Sequence, residues 1–128
     1  MVYILGINSA YHESAACLLA DGRVLAFAEE ERFNRRKHAK PARIDNPDEL
    51  PLGAIEYCLR EAGIPLARVD AVGYSFNPPK RLLNLNVPEP VREGDWGSRE
   101  GEQIFQDKLL GVPDRLSELA GEPLGDRF

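Results

Sequence analysis

ILGINSAYHESAACLLADGRVLAFAEEERFNRRKH, residues 4–38, alternates short apolar runs with turn-forming residues and ends in a cationic run. Residues 2–7 form an apolar run typical of a buried strand, and residues 8–13 read as a polar turn. Residues 14–20 resume the strand pattern, although their alanines also permit a helix. Both histidines of the chain lie in this segment, so we expect the functional site here.

The Asp21-Gly22 pair lies between two apolar runs, which is a strong signal of a two-residue β-hairpin. This signal favours a strand over a helix for residues 14–20. It also predicts that residues 24–29 form the returning strand. The first part of the chain is therefore predicted to be an antiparallel meander of three strands.

A helix is predicted over residues 51–62, because Pro51 suits a first helical turn and Gly63 ends the pattern. Its apolar positions recur on one face, so it should pack on the sheet. Residues 69–76 read as a fourth, largely buried strand. The order β-β-β-α-β predicts an α/β fold with a mixed sheet and helical cover.

The region after residue 76 is rich in proline and glycine and alternates charged with small residues. We expect residues 1–76 to form the first part of a domain and residues 77–128 to be a partly helical extension of it. Helices are predicted at 98–110, capped by Ser98, and at 114–120. Neither sequence offers much apolar surface.

The composition excludes several classes of protein. A net charge of -5 argues against a general nucleic-acid binder, which is usually basic. No segment approaches the roughly 20 apolar residues of a membrane span, and the initial apolar run is short for a signal peptide. Cys17 and Cys58 read as small buried residues in a reducing compartment. We therefore expect a cytoplasmic protein with no membrane or nucleic-acid partner.

The basic residues are unevenly distributed. Six of the sixteen fall within twelve positions that contain no acid: Arg32, Arg35, Arg36, Lys37, Lys40 and Arg43. This basic island indicates a local anion site or a solvated loop, and charge alone does not separate the two. Arg36, Lys37 and His38 are candidates for binding phosphate, since arginine offers a fork of donors and lysine a point charge.

The turn after the first strand is the leading candidate for ligand binding. Small residues at Ser9 and Ala10 would let backbone amides approach an anion, although an ordinary polar connection is equally consistent. His12 is able to accept a proton from a hydroxyl or simply make a structural hydrogen bond. Glu13 would orient His12 or bind a polyol, but adjacent strand residues face opposite ways. A metal site is the weakest hypothesis, because two histidines without ligand spacing are too few.

The same segment resembles the amino terminus of the carbamoyltransferases of nodulation and antibiotic biosynthesis. The resemblance is carried in order by Gly6-Ile7-Asn8, His12-Glu13-Ser14-Ala15-Ala16, Asp21-Gly22, and Ala28-Glu29-Glu30-Glu31-Arg32-Phe33 through Lys37-His38. It covers about the first 76 residues. As an ordered set these motifs are highly specific, although each one alone is weak.

The resemblance implies a Kae1-like domain of the ribonuclease-H-like, actin-like ATPase fold, of which this chain holds the first part. Members of the family use carbamoyl phosphate and ATP to form a carbamoyl adenylate in a carboxy-terminal YrdC-like domain. They then transfer the carbamoyl group to a hydroxyl of a small-molecule acceptor. Since AMP is a good leaving group, the enzyme mainly positions the hydroxyl and stabilises developing charge.

Carried over residue by residue, the resemblance implies an acceptor side formed by Asn8, His12, Glu13 and Ser14. His12 would be the catalytic residue that orients or deprotonates the attacking hydroxyl. The nucleotide or carbamoyl end would lie near Arg36, Lys37 and His38.

The sequence departs from the family pattern in one respect. The family's divalent metal, with iron expected, takes its ligands from a His-His-x-x-x-His-Ala motif and later aspartates, and this chain has no such motif. We therefore expect an amino-terminal fragment that does not catalyse alone, with the metal site only in the full-length protein. Two alternatives remain. One is a Kae1-type tRNA-modification or sugar-kinase-like fragment, and the other is a non-catalytic nucleotide- or ligand-binding module.

Overall fold

The structure, a computed structural model, describes residues 1–83 and 92–128. It begins with β1 (Tyr3–Asn8), β2 (Ala15–Ala20) and β3 (Arg23–Glu29), which pair as an antiparallel meander. Asp21 and Gly22 join β2 to β3 with φ angles of 47° and 78°. A tight hairpin turn requires such left-handed angles. The predicted meander is confirmed.

The fourth strand, β4 (Ala71–Tyr74), pairs with β1 in parallel, and the sheet order is β3-β2-β1-β4. It is shorter than the predicted range 69–76. The reason is that its pairing with β1 extends only from Ala71, opposite Ile4, to Tyr74, opposite Ile7. The α/β class and the β-β-β-α-β order, expected for the first part of a ribonuclease-H-like fold, are confirmed.

One face of the sheet carries the main core. Strand alternation places Leu5, Leu18 and Val72 on this face, where they share one core cluster with buried residues of α2 (Leu52–Ala62). Cys58 of α2 is fully buried, as predicted, whereas Cys17 points to the other face and is only partly buried. That other face has no cover among the described residues and leaves large apolar side chains such as Phe27 exposed.

Four further helices complete the described chain: α1 (Glu31–Asn34), α3 (Pro78–Leu83), α4 (Arg99–Leu110) and α5 (Val112–Ala120). Ser98 caps α4 as predicted, because its hydroxyl accepts a 3.0 Å hydrogen bond from the backbone N–H of Gly101. The short helices α1 and α3 were not predicted. Residues 84–91, part of the predicted extension, lie outside the described residues. Within the described residues, no helix is both long enough and apolar enough to cross a membrane.

The prediction that the last two helices offer little apolar surface is wrong. Phe105 and Leu109 of α4 are buried in a second cluster, and Val112 and Leu116 of α5 join the core beneath the sheet. Their apolar residues are few, but the four-residue spacing puts each pair on one face. The division of the chain at residue 76 stays a prediction.

Candidate functional site

Asn8 ends β1 and links the sheet to the turn that follows. Its side-chain oxygen accepts a 2.7 Å hydrogen bond from the hydroxyl of Ser75, just after β4, and its Nδ2 donates to the backbone oxygen of Glu13 at 3.2 Å. Parallel pairing of β1 and β4 brings these two strand ends together. Asn8 therefore fixes the position of the turn that carries His12.

The structure brings together His12, Glu13 and His38. The Nδ1 of His38 lies 3.2 Å from one carboxylate oxygen of Glu13, and the Nδ1 of His12 lies 3.8 Å from the other. The two imidazole ring centroids are 4.8 Å apart. All three side chains are partly exposed. We call these three residues the His-Glu-His cluster.

Glu13 adopts a left-handed backbone, and this explains why it reaches the same site as His12. With φ of 58°, Glu13 breaks the alternation that would send adjacent strand side chains to opposite faces. The expectation that His12 and Glu13 face apart was therefore wrong. Such a backbone is uncommon for a residue other than glycine and is retained where surrounding contacts hold it.

His38 is held by hydrogen bonds to its own loop and to the turn. Its backbone N–H donates to a carboxylate oxygen of Glu31 at 2.9 Å, and its carbonyl accepts from the N–H of Glu13 at 2.7 Å. Asn34 donates to the carbonyl of Ala39 at 2.8 Å. His38 and Ala39 both have positive φ, 60° and 68°. These contacts fix the backbone at His38 and thereby the direction in which its side chain leaves the loop.

Three small residues in and beside the turn, Ser9, Ala10 and Ser14, are buried. Ser9 and Ala10 are buried, so the prediction that their amides approach an anion is wrong. The hydroxyl of Ser9 bonds instead to the carbonyl of Pro47 at 2.8 Å and to the hydroxyl of Tyr74 at 2.7 Å. Burial raises the pKa of Tyr74 to about 12. Ser14 is also buried, and its proposed substrate contact stays a prediction.

Lys40 lies under the turn rather than on the surface. Its side chain is 2% exposed, and its ammonium donates to the carbonyls of Ser9 at 2.7 Å, Asn46 and Glu49. Burial lowers the pKa of Lys40 to about 8, against the opposing attraction of Glu49 and Asp48. Lys40 thus links the β1–β2 turn to the loop that precedes α2 through hydrogen bonds to both segments.

Two of the six residues of the basic island form ion pairs with acids of the following loop. Arg36 forms an ion pair with Glu49 at 3.4 Å, and Arg43 forms a pair with Asp45 at 2.7 Å. Lys37 is exposed. Residues 32–43 contain no acid, but the acids that pair with Arg36 and Arg43 follow within six positions of Arg43. The three predicted phosphate-binding residues therefore do not lie in one place. His38 belongs to the His-Glu-His cluster, whereas Arg36 pairs with Glu49 and Lys37 is exposed.

Tyr11 anchors the other side of the turn. Its hydroxyl accepts a 2.9 Å hydrogen bond from Arg81 of α3, and its ring contacts Trp96 and Phe105. Arg81 also forms a bidentate pair with the buried carboxylate of Glu102. Arg81 is the main cause of a lowered pKa at Glu102. No sequence motif indicated these partners.

Asn8 also lines a groove of about 370 Å³ on the uncovered face of the sheet. Cys17 and Phe27 form part of its apolar wall, and Ser75 lies at its edge. The predicted acceptor residues are therefore divided between two places. Asn8 faces the groove, while His12 and Glu13 belong to the cluster.

A family model described as the carbamoyltransferase N-terminus matches residues 3–77, more than half of this chain. The chain belongs to this family. The matched range contains β1 to β4, the turn and the whole His-Glu-His cluster.

Three curated relatives support this membership. The chain is 44% identical over 78 residues to the uncharacterized protein sll1178 of Synechocystis sp. (strain ATCC 27184 / PCC 6803 / Kazusa), covering 61% of this chain and 11% of the relative. It is 42% identical over 67 residues to nodulation protein NolNO of Sinorhizobium fredii (strain NBRC 101917 / NGR234), covering 52% and 9%. An uncharacterized 19.2 kDa protein from Rhizobium etli is 43% identical over 67 residues, covering 52% and 34%. The chain spans only about a tenth of the first two relatives.

Among solved structures, YeaZ from Pseudomonas aeruginosa is similar at 20% identity with a TM-score of 0.46. The superposition covers 95% of this chain and 41% of YeaZ.

The divalent metal implied by the family resemblance does not fit this chain. Its expected ligands come from a His-His-x-x-x-His-Ala motif, whereas the only histidines here are His12 and His38.

Proposed function

We propose that this chain is the amino-terminal part of an O-carbamoyltransferase, in which it forms the acceptor side of the transfer site. The observation that carries the proposal is the convergence of His12, Glu13 and His38 inside the family-matched segment. The similarity to NolNO supports the same class of chemistry.

Transfer of a carbamoyl group to a hydroxyl requires that the hydroxyl be oriented and that its proton be accepted. We assign this role to His12, because imidazole is the side chain that most often serves as a general base and this ring is partly exposed beside a carboxylate. Glu13 lies between both histidines and would stabilise the imidazolium that forms. Asn8 would position the turn through its bond to Glu13.

The donor side is assigned to the exposed cations. Arg36 and Lys37 would bind phosphate oxygens of ATP or carbamoyl phosphate. Arg36 would give up its exposed ion pair with Glu49 when the phosphate binds. His38 would lie between the donor and acceptor sides, because it follows Lys37 in the chain and its ring contacts Glu13. In this proposal carbamoyl adenylate is formed in a YrdC-like domain and delivered to the turn.

The matched relatives are much longer than this chain, so the proposal places catalysis in the full-length protein. The 128 residues alone would not complete a turnover, because they contain no YrdC-like region in which the adenylate would form. Cytoplasmic location and the absence of nucleic-acid partners stay predictions.

The test uses the full-length protein and its His12→Ala variant, with carbamoyl phosphate, ATP and a panel of small polyol and sugar acceptors. We expect the variant to form carbamoyl adenylate at the normal rate while carbamoyl transfer falls by about 10²-fold or more. Lys37→Ala should instead weaken binding of the donor. Equal loss of adenylate formation and transfer in His12→Ala would contradict the assigned role.

A further inference from the structure

The His-Glu-His cluster has the donor set of a metal site. We propose that His12, Glu13 and His38 bind one divalent transition-metal ion such as Zn²⁺ and leave a coordination position open to solvent. Each residue offers one ligand atom, and the three atoms all lie within 4.8 Å of one another. The site is separate from the metal that the family resemblance implies, whose ligand motif this chain lacks.

The distances are close to those that coordination requires. Ligand atoms 2.0–2.1 Å from a tetrahedral zinc ion are about 3.3 Å apart. The separation of the His38 nitrogen from the Glu13 carboxylate is already 3.2 Å. The His12 nitrogen lies 3.8 Å from the other carboxylate oxygen. The three ligand atoms are at most 4.8 Å apart, so side-chain rotations would have to bring them closer by up to about 1.5 Å to coordinate one ion.

His12 provides an independent indication of a ligand. Its Nδ1 atom is buried and makes no hydrogen bond to any described residue, although the ring as a whole is partly exposed. A buried polar atom without a partner is costly, and coordination of a metal would satisfy it. The same nitrogen lies 3.8 Å from a carboxylate oxygen of Glu13.

The backbone is arranged to hold this site. Glu13 and His38 are tied by a 2.7 Å hydrogen bond from the Glu13 amide to the His38 carbonyl, and both have positive φ. Glu31 fixes the His38 amide from the other side. Strained residues that the surrounding contacts over-determine are typical of preorganised ligand sites.

The donor types select the class of metal. Imidazole nitrogens favour zinc, cobalt, nickel, copper and ferrous iron, whereas magnesium and calcium prefer sites made of oxygen ligands. Three protein ligands with a free position are typical of catalytic rather than structural zinc sites. The carboxylate of Glu13 is 62% exposed, so an external oxygen ligand has access to the ion.

If the proposed function holds, the open position is where an acceptor hydroxyl would bind. A metal ion lowers the pKa of a bound hydroxyl or water. In the metal-bound form His12 would orient the hydroxyl through the ion instead of taking its proton directly. This consequence rests on the proposed function, whereas metal binding itself does not.

The test is a titration of the untagged 128-residue chain with Co²⁺, followed by calorimetry and by the visible absorption of the ion, and then competition with Zn²⁺. We expect one ion per chain, displaced by Zn²⁺ and not by Mg²⁺. His12→Ala, His38→Ala and Glu13→Gln should each weaken binding at least tenfold. Cys17→Ser and Glu49→Gln remove a thiol and an exposed carboxylate outside the cluster, and they should leave binding unchanged.

The result that overturns the proposal is absence of saturable binding, or binding that the three cluster variants leave intact. Circular dichroism of each variant separates loss of a ligand from loss of the fold, and Glu13→Gln keeps the side-chain shape if the alanine variants unfold. A metal-binding chain whose full-length protein transfers no carbamoyl group would refute the proposed function alone. Normal transfer without metal binding would refute this inference alone.

Discussion

The backbone amide of Glu13 donates a 2.7 Å hydrogen bond to the carbonyl oxygen of His38, and both residues lie in the left-handed region. This bond joins the β1–β2 turn to the loop after α1. It explains how a short turn and a cationic loop, which are far apart along the chain, present one group of titratable side chains.

The first prediction concerns the backbone of Glu13. Proline at this position removes the N–H and forbids a positive φ, whereas glycine keeps both. Since both variants lack the carboxylate, the difference between their free energies of unfolding reports the effect of the backbone alone. We expect Glu13→Pro to be less stable than Glu13→Gly by about 2 kcal/mol or more in urea unfolding. Equal midpoints would show that the tie to His38 contributes little.

The second prediction concerns Glu30, whose carboxylate accepts hydrogen bonds from the amides of Gly53 and Ala54 at 3.2 and 2.7 Å. It satisfies two backbone amides in the first turn of α2 that have no partner within the helix. Glu30→Gln should lower the free energy of unfolding by about 1 kcal/mol. The neighbouring Glu29 is exposed, so Glu29→Gln is the matched control and should change it little.

The third prediction concerns the pair of Arg81 with Glu102. Arg81→Met leaves the carboxylate of Glu102 buried without its counter-ion, so we expect a loss of about 2–3 kcal/mol. Trp96, the only tryptophan, lies in the adjoining aromatic cluster and reports on it by fluorescence. Its emission should shift to the red in Arg81→Met. The exposed Arg99→Met should leave both stability and emission unchanged.

The fourth prediction is a pH dependence caused by Lys40. Burial lowers the pKa of Lys40 to about 8 in the folded chain, while the unfolded chain keeps its ordinary value of 10.5. Between these values the unfolded state binds more protons, so the stability of the folded state rises with pH in this window. The full gain is at most about 3 kcal/mol.

Urea unfolding between pH 7 and 9.5 measures this effect, because Tyr74 titrates above that range. Lys40→Met should lose the rise of stability with pH, and it should also be destabilised because three carbonyls lose their donor. The exposed Lys37→Met should keep the wild-type slope. A wild-type slope in Lys40→Met would show that another group titrates in this window.

The sequence predicted the elements whose signals are local. The Asp21-Gly22 hairpin, the helix ended by Gly63 and the cap at Ser98 depend on neighbouring residues and were found where expected. Strand lengths and helices α1 and α3 were less predictable, because the sheet edge and long-range contacts set their limits. The sequence did not predict the buried faces of α4 and α5, because each face contains only two apolar residues.

The candidate site was predictable only in part. Its location in residues 4–38, and the family to which those motifs belong, were evident from residue order alone. The tertiary structure decided that His38 meets His12 and Glu13, that Lys40 is buried, and that Arg36 and Arg43 of the basic island have counter-ions. These pairings depend on a left-handed residue at Glu13 and on desolvation, and both arise from packing between segments that are distant in the sequence.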